Sequence, residues 1–327
     1  MFDGALGWIL VAGLAAFLIA SVTAPLATLA WWAGRPEDDR PWRVRPVHKR
    51  GEPPAPTRPG APRFIVYLGG VNTLDGDSHT DRERRFLDAL GETCGEAVLV
   101  RDLFPYAVTG EPLLHNPGVF RWMWRALRAA PEAARPLLLD HLVNARNFFQ
   151  MLVSADRRYG PVFNTAVAEV ILDALHGAGW EPGSGAAVTL IGYSGGAQMA
   201  AGAADYLDAQ LDGPIDLIAL GGVMASPDGL ARLRRIDHIV GARDGLPRMA
   251  AAGCPGRWPS AVGSAWNEAR RSGRLRRIVF DGVRHAGASG YLGEAGAPAN
   301  WERTLDAVCE ALRDAPGSRE EKPGLNE

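Results

Sequence analysis

Short apolar runs alternate with stretches of helical period along most of the chain. Residues 64–68, 97–100, 187–191, 215–220, 236–240 and 277–280 are brief and rich in β-branched side chains, as strands buried on both faces are. Between them, 164–176, 197–207 and 300–313 carry apolar positions at helical spacing. This alternation predicts an α/β fold, a mostly parallel sheet flanked by crossover helices. The stretch from Pro105 to Tyr159 is too long for one ordinary crossover and reads as a helical insertion over 105–160. Inside it Leu138, Leu142, Ala145, Phe149 and Leu152 fall on one helical stripe, suited to core packing or to an acyl pocket. Residues 117–128 form a second amphipathic pattern. Phe120, Met123, Trp124 and Leu127 share one face, and Arg121, Arg125 and Arg128 another. That is an ordinary surface helix or, beside a membrane, an interfacial one.

The N-terminus breaks this pattern. No charge occurs between Asp3 and Arg35, and the run exceeds the roughly 20 apolar residues that cross a bilayer. It lacks the basic n-region of a signal peptide, so it reads as an uncleaved anchor over 1–34, one transmembrane helix. Trp31 and Trp32 are placed for an interfacial belt, and Pro25 for a kink or an end. Arg35, Arg40, Arg43, Arg45, Lys49 and Arg50 follow, whereas no basic residue precedes the span. The positive-inside rule therefore makes the protein single-pass, with the following domain cytoplasmic. A basic, proline-rich tether over 35–62 leads to a domain over 63–314. The polar segment 315–327 reads as a disordered tail.

Charge and cysteine usage exclude more than they suggest. The formal net charge of -2 gives no reason to expect nucleic acid. Cys94, Cys254 and Cys309 lack CxxC spacing, which argues against a zinc site or a disulfide framework. His79, with Asp75 and Asp77, is the one metal-like cluster, and it reads better as a polar surface loop. No cofactor or metal is expected.

The candidate chemistry lies where the third strand runs into Gly192-Tyr193-Ser194-Gly195-Gly196, followed by a helix rich in small residues. A GxSxG between a strand and a helix is the setting of a nucleophile elbow: the serine occupies a sharp turn, so its neighbours must be small. On these residues the chain resembles the α/β-hydrolase superfamily over about 62–314, by a motif specific for the superfamily rather than for one family within it. The resemblance implies a triad in the chain order Ser, Asp or Glu, His. Asp244 lies just past the 236–240 strand and is the implied acid, although Asp-Gly is also a common turn pair. Asp281 is the alternative, but it precedes the histidine closely. Of the seven histidines, His285 lies just past the last strand and is the implied base, whereas His238 falls inside a strand and reads as structural. The implied oxyanion hole uses the backbone of Gly195 together with Gly70 or Val71, in the glycine-rich turn after the first strand. The same resemblance places a cap at the insertion.

These residues imply a membrane-anchored serine hydrolase of carboxylic esters or thioesters, with a small acyl or lipid-like ester as its partner. An acyltransferase would use the same serine with an alcohol in place of water. A non-catalytic binding module would leave the complete set Ser194, Asp244 and His285 unexplained.

Overall fold

A computed structural model describes residues 15, 19, 26, 28–34, 62–73, 79–108 and 135–313, with side chains from 144 onward in the last stretch. The strands are β1 (Arg63–Leu68), β2 (Ala97–Val100), β3 (Ala187–Tyr193), β4 (Ile215–Leu220), β5 (Arg235–Gly241) and β6 (Leu275–Phe280). They form one sheet in the order β2-β1-β3-β4-β5-β6, and every pair is parallel. The helices are α1 (Asp81–Thr93), α2 (Arg135–Ala155), α3 (Gly160–Gly177), α4 (Gly196–Leu207), α5 (Leu246–Gly253), α6 (Ala265–Arg271) and α7 (Asn300–Arg313).

Alternation along each strand divides the core in two. Val66, Leu68, Val188, Leu190 and Leu217 face Phe163, Val167, Met199, Ala203 and Trp266, which come from α3, α4 and α6. Ile65, Tyr67, Ile191, Tyr193 and Ile218 face the other way, against Phe86 and Leu90 of α1 and Val308 and Leu312 of α7. Burial on both faces explains why these strands read as continuous apolar runs. The start of α1 is fixed by a capping box: Thr80 accepts from the Glu83 N–H, and the Glu83 carboxylate accepts from the Thr80 N–H. The buried Glu83 also accepts from the Tyr67 hydroxyl at 3.0 Å, which ties that helix to β1.

Strand order reverses between β1 and β3, since β2 lies outside one and β4 outside the other. In open parallel sheets the crevice beyond the carboxyl ends at such a reversal is where ligands bind. Leu68 pairs with Gly192 there, which sets the turns after β1 and β3 side by side.

The described elements depart from the sequence pattern at several points. β3 continues to Tyr193, and β6 starts at Leu275 rather than at 277, on a half-exposed sheet edge where apolar periodicity is weak. Helix α3 starts at Gly160 with a proline in its first turn, where a missing N–H costs nothing. The stripe expected in the insertion does not mark the inward face of α2. Leu152 is 44% exposed and Phe149 half-buried, whereas Asn147, Gln150, Met151 and Ser154 are buried. The inward face is mixed: Met151 and Val153 join the core, Asn147 donates to backbone carbonyls, and Ser154 donates to Asn164. The side chains of Leu138 and Leu142 lie outside the described residues.

Among the described residues no helix is long and apolar enough to cross a membrane. The expected span over 1–34 lies largely outside them, as do nearly all of the tether over 35–62, the amphipathic pattern at 117–128 and the tail over 315–327. Residues 28–33 are helical, and Trp31 is half-buried against the first core cluster.

Candidate active site

Strand β3 delivers its last residue into a turn that few side chains tolerate. Ser194 has φ 53°, the one positive value at a non-glycine position among the described residues. Backbone in that region is costly for an L-residue and persists where surrounding contacts impose it. Here the Ser194 N–H donates to Leu220 O at 2.9 Å, and Ser194 O accepts from the Val223 N–H at 3.0 Å. Close packing fixes the flanking residues. A Cβ on Gly192 would lie 2.4 Å from Ala197 Cα, and one on Gly196 would lie 2.1 Å from Leu68 O. Neither space exists, so both ends of the turn require glycine. The turn leads directly into α4, whose alanines are buried against the sheet.

Two further loops meet the serine. Asp244 follows β5, and His285 follows β6. Their side chains come from positions 41 and 91 residues apart from their partners and form a continuous hydrogen-bonded chain. His285 Nε2 lies 2.8 Å from Ser194 Oγ, and His285 Nδ1 lies 2.8 Å from Asp244 Oδ2. A hydroxyl beside one imidazole nitrogen, with a buried carboxylate on the other, has a defined path for its proton. Tyr193 frames this chain, since its ring stacks on His285 at 15° and its hydroxyl donates to His285 O at 2.9 Å.

Burial alone would raise the Asp244 pKa. Hydrogen bonds from His285, from the Tyr291 hydroxyl at 2.7 Å and from the Leu246 N–H at 3.0 Å outweigh it and hold the carboxyl below its ordinary range. Tyr291 is pushed the other way, first by burial and then by its bond to the Asp244 charge, so it remains a phenol. Its oxygen also accepts from the Gly241 N–H at 2.7 Å, which anchors it to the end of β5.

The turn after β1 lies on the opposite side of the serine. A Cβ on Gly70 would lie 3.5 Å from Ser194 Cβ, and one on Gly195 would lie 2.8 Å from Val71 Cγ1. Neither the Val71 nor the Gly195 N–H has a hydrogen-bond acceptor among the described residues. Tyr106 and Met151 close the space above Gly195, at 3.0 and 3.2 Å from that same Cβ position.

No protein-family model matches the chain, and no curated protein matches it. Among solved structures it is similar to a dienelactone hydrolase-like promiscuous phosphotriesterase from metagenomic libraries. The identity is 13% over 78% of this chain and 87% of that one, with a TM-score of 0.41.

The other residues singled out by sequence lie elsewhere. Asp281 is exposed at the turn after β6, and its backbone oxygen accepts from Arg303. His238 is buried within β5 with Nε2 3.2 Å from Gly222 O, and burial followed by the Arg257 charge pushes its pKa down to about 3. His79 departs from the surface loop expected of it: it is buried, edge-on to Tyr67 and 3.2 Å from Arg101 O, because α1 and the end of β2 close over it. Asp75 and Asp77 lie outside the described residues. Among those described, no group of three or more His, Cys, Asp or Glu is placed to hold a metal ion. The three cysteines are free, although Cys94 Sγ and Cys309 Sγ come within 3.3 Å of each other.

Sequence reasoning did not find Tyr291, Thr73, Tyr106 or Asn147. None belongs to a motif, and Tyr291, Tyr106 and Asn147 act through partners distant in the chain, whereas Thr73 bonds Gly70 within the same turn. The only local signal was the placement of Tyr291 a few residues past His285.

Proposed function

We propose that this chain is a serine hydrolase of the α/β-hydrolase type acting on carboxylic esters or thioesters. The observation that carries the reading is the Ser194–His285–Asp244 chain, at 2.8 Å in both links, at the reversal point of the sheet. In this mechanism His285 Nε2 takes the Ser194 hydroxyl proton as Oγ attacks the acyl carbon. The carbonyl oxygen becomes an oxyanion, received by the N–H groups of Gly195 and of Gly70 or Val71. His285 then gives its proton to the leaving alcohol or thiol, and an acyl-enzyme remains. Water repeats the sequence and releases the acid. Asp244 holds the Nδ1–H and offsets the charge that develops on the imidazole. Val71 and Met151 beside Gly195 favour an apolar acyl group.

The uncharged N-terminal segment and the basic residues after it support attachment to a membrane, with the hydrolase domain on the cytoplasmic side. The same placement supports a lipid-like substrate. Alkaline phosphatase fused to the C-terminus should be inactive, and an active fusion would reverse the orientation.

The decisive experiment is labelling with a fluorophosphonate probe, followed by turnover of p-nitrophenyl esters of increasing chain length. The wild-type chain should label and turn over, and Ser194→Ala should do neither. Labelling that survives in Ser194→Ala would remove Ser194 from the mechanism.

A further inference from the structure

The backbone from Gly69 to Thr73 is held at almost every carbonyl. Gly69 O accepts from the Tyr106 hydroxyl at 2.9 Å. Gly70 O accepts twice from Thr73, from its N–H at 3.1 Å and its hydroxyl at 2.8 Å. Val71 O and Thr73 O both accept from Asn147 Nδ2, each at 2.8 Å. The Thr73 hydroxyl also accounts for a glycine, because a Cβ on Gly69 would stand 2.4 Å from Thr73 Oγ1.

Peptide planarity turns these contacts into an orientation. The C=O of one residue and the N–H of the next lie in one plane and point in opposite directions. Fixing Gly70 O on Thr73 therefore fixes the direction of the Val71 N–H, which points away from Thr73. The Asn147 amide has one way to sit. Two carbonyls face Nδ2, which alone can donate, while Oδ1 accepts from Arg146 Nη1 at 3.1 Å. Arg146 is held in turn by Tyr106 O at 2.9 Å. Both Thr73 and Asn147 are buried. Thr73 thus closes the turn from within, and Asn147 holds it from α2, within the insertion between β2 and β3.

We propose that Thr73 and Asn147 are positioning residues that aim the Val71 N–H at the oxyanion formed on Ser194. Through Asn147, the insertion contributes to the rate as well as to the pocket. The inference rests on the serine hydrolase reading and goes beyond it by assigning the second oxyanion donor and the side chains that hold it. Donors fixed before the reaction stabilise a developing charge without reorganising, so loosening them should cost rate rather than substrate affinity.

The test uses the full chain and a p-nitrophenyl ester, with a boronic acid as the tetrahedral analogue. Thr73→Val keeps the shape and loses the hydroxyl. Asn147→Asp keeps the shape and loses both donors. Each should lower kcat by about 10- to 100-fold with KM changed by less than about twofold. The boronic acid inhibition constant should rise by the factor by which kcat/KM falls. Thr73→Ser should restore most of the turnover, because it restores the bond to Gly70 O. Thermal unfolding reports whether Asn147→Asp folds; if it does not, the Thr73 pair decides. Wild-type turnover in Thr73→Val, a loss confined to KM, or a Thr73→Ser as impaired as Thr73→Val would overturn the inference. Fluorophosphonate labelling of the wild type separates the two readings. A labelled wild type with an unaffected Thr73→Val removes this proposal alone, and an unlabelled wild type removes both.

Discussion

The two sides of Ser194 are built from different material. On one side lie His285, Asp244, Tyr291 and Tyr193, whose functional atoms are all in side chains. On the other lies the turn from Gly69 to Thr73, which presents backbone, with side chains serving only to hold it. Proton transfer needs groups that change protonation state, and side chains alone offer these near neutral pH. Oxyanion binding needs fixed donors, and every residue except proline carries one on its backbone. On the proposed reading, the acid–base side is specified by residue type and the oxyanion side by conformation. Substitutions should affect the two sides differently.

On the acid–base side His285→Ala should nearly abolish turnover, and next in size is Asp244→Asn. This change keeps the shape but lets the imidazole adopt the wrong tautomer, and turnover should fall by about 10⁴-fold with the fold intact. Single-turnover ester hydrolysis and circular dichroism together check it. A loss below about tenfold would mean that another group orients His285.

Removing the hydroxyl of Tyr291 should do less. In Tyr291→Phe, Asp244 Oδ2 loses one of its donors and the Gly241 N–H loses its acceptor. A roughly tenfold loss of kcat/KM follows from one missing hydrogen bond to a charged group. The sign of the pH effect is fixed. Losing a donor to the ionised carboxylate raises its pKa. That change moves the acidic limb of the pH–rate profile to higher pH. An unmoved limb with the same loss of rate would make Tyr291 a packing residue only.

The smallest effect on catalysis, and the clearest on stability, is expected at His238. It sits one strand in from β6 and shares a residue type with His285, yet it is enclosed by β5 and bonded to a backbone oxygen. Its folded pKa of about 3 lies below the ordinary 6.5, so the unfolded chain binds the proton more readily. Stability from its neutral form is complete above about pH 6.5 and is lost as pH falls towards 3, by at most about 5 kcal/mol. Denaturant midpoints between those limits should fall less steeply in His238→Gln than in the wild type, while ester turnover at neutral pH changes little. Equal slopes would show that other groups carry the acid sensitivity.

How much of this was legible depended on which forces were local. The strands over 64–68 and 215–220 could be placed because full burial writes itself as a continuous apolar run. The edge strand β6 was read two residues short, since Arg277 and Val279 face solvent and its pattern is mixed. The insertion misled for the opposite reason. Its apolar stripe predicted an inward face at Leu152, but the buried positions include Asn147 and Ser154, which meet backbone carbonyls and the Asn164 amide.

The sequence by itself determined the parallel α/β arrangement, the place of Ser194 in a turn that tolerates only small neighbours, and the loops holding Asp244 and His285. Each of these follows from short-range chemistry: apolar period, glycine spacing, and polar residues just beyond strand ends. Only the tertiary structure decided that β1 lies beside β3, that Tyr291 supports Asp244, and that Thr73 and Asn147 hold the turn beside the serine. The contact of Asn147 with Val71 spans 76 residues. A hydrogen bond of that range leaves no period or spacing in the chain, because it depends on the packing of α2 against α3 and α4 and not on any neighbour in sequence.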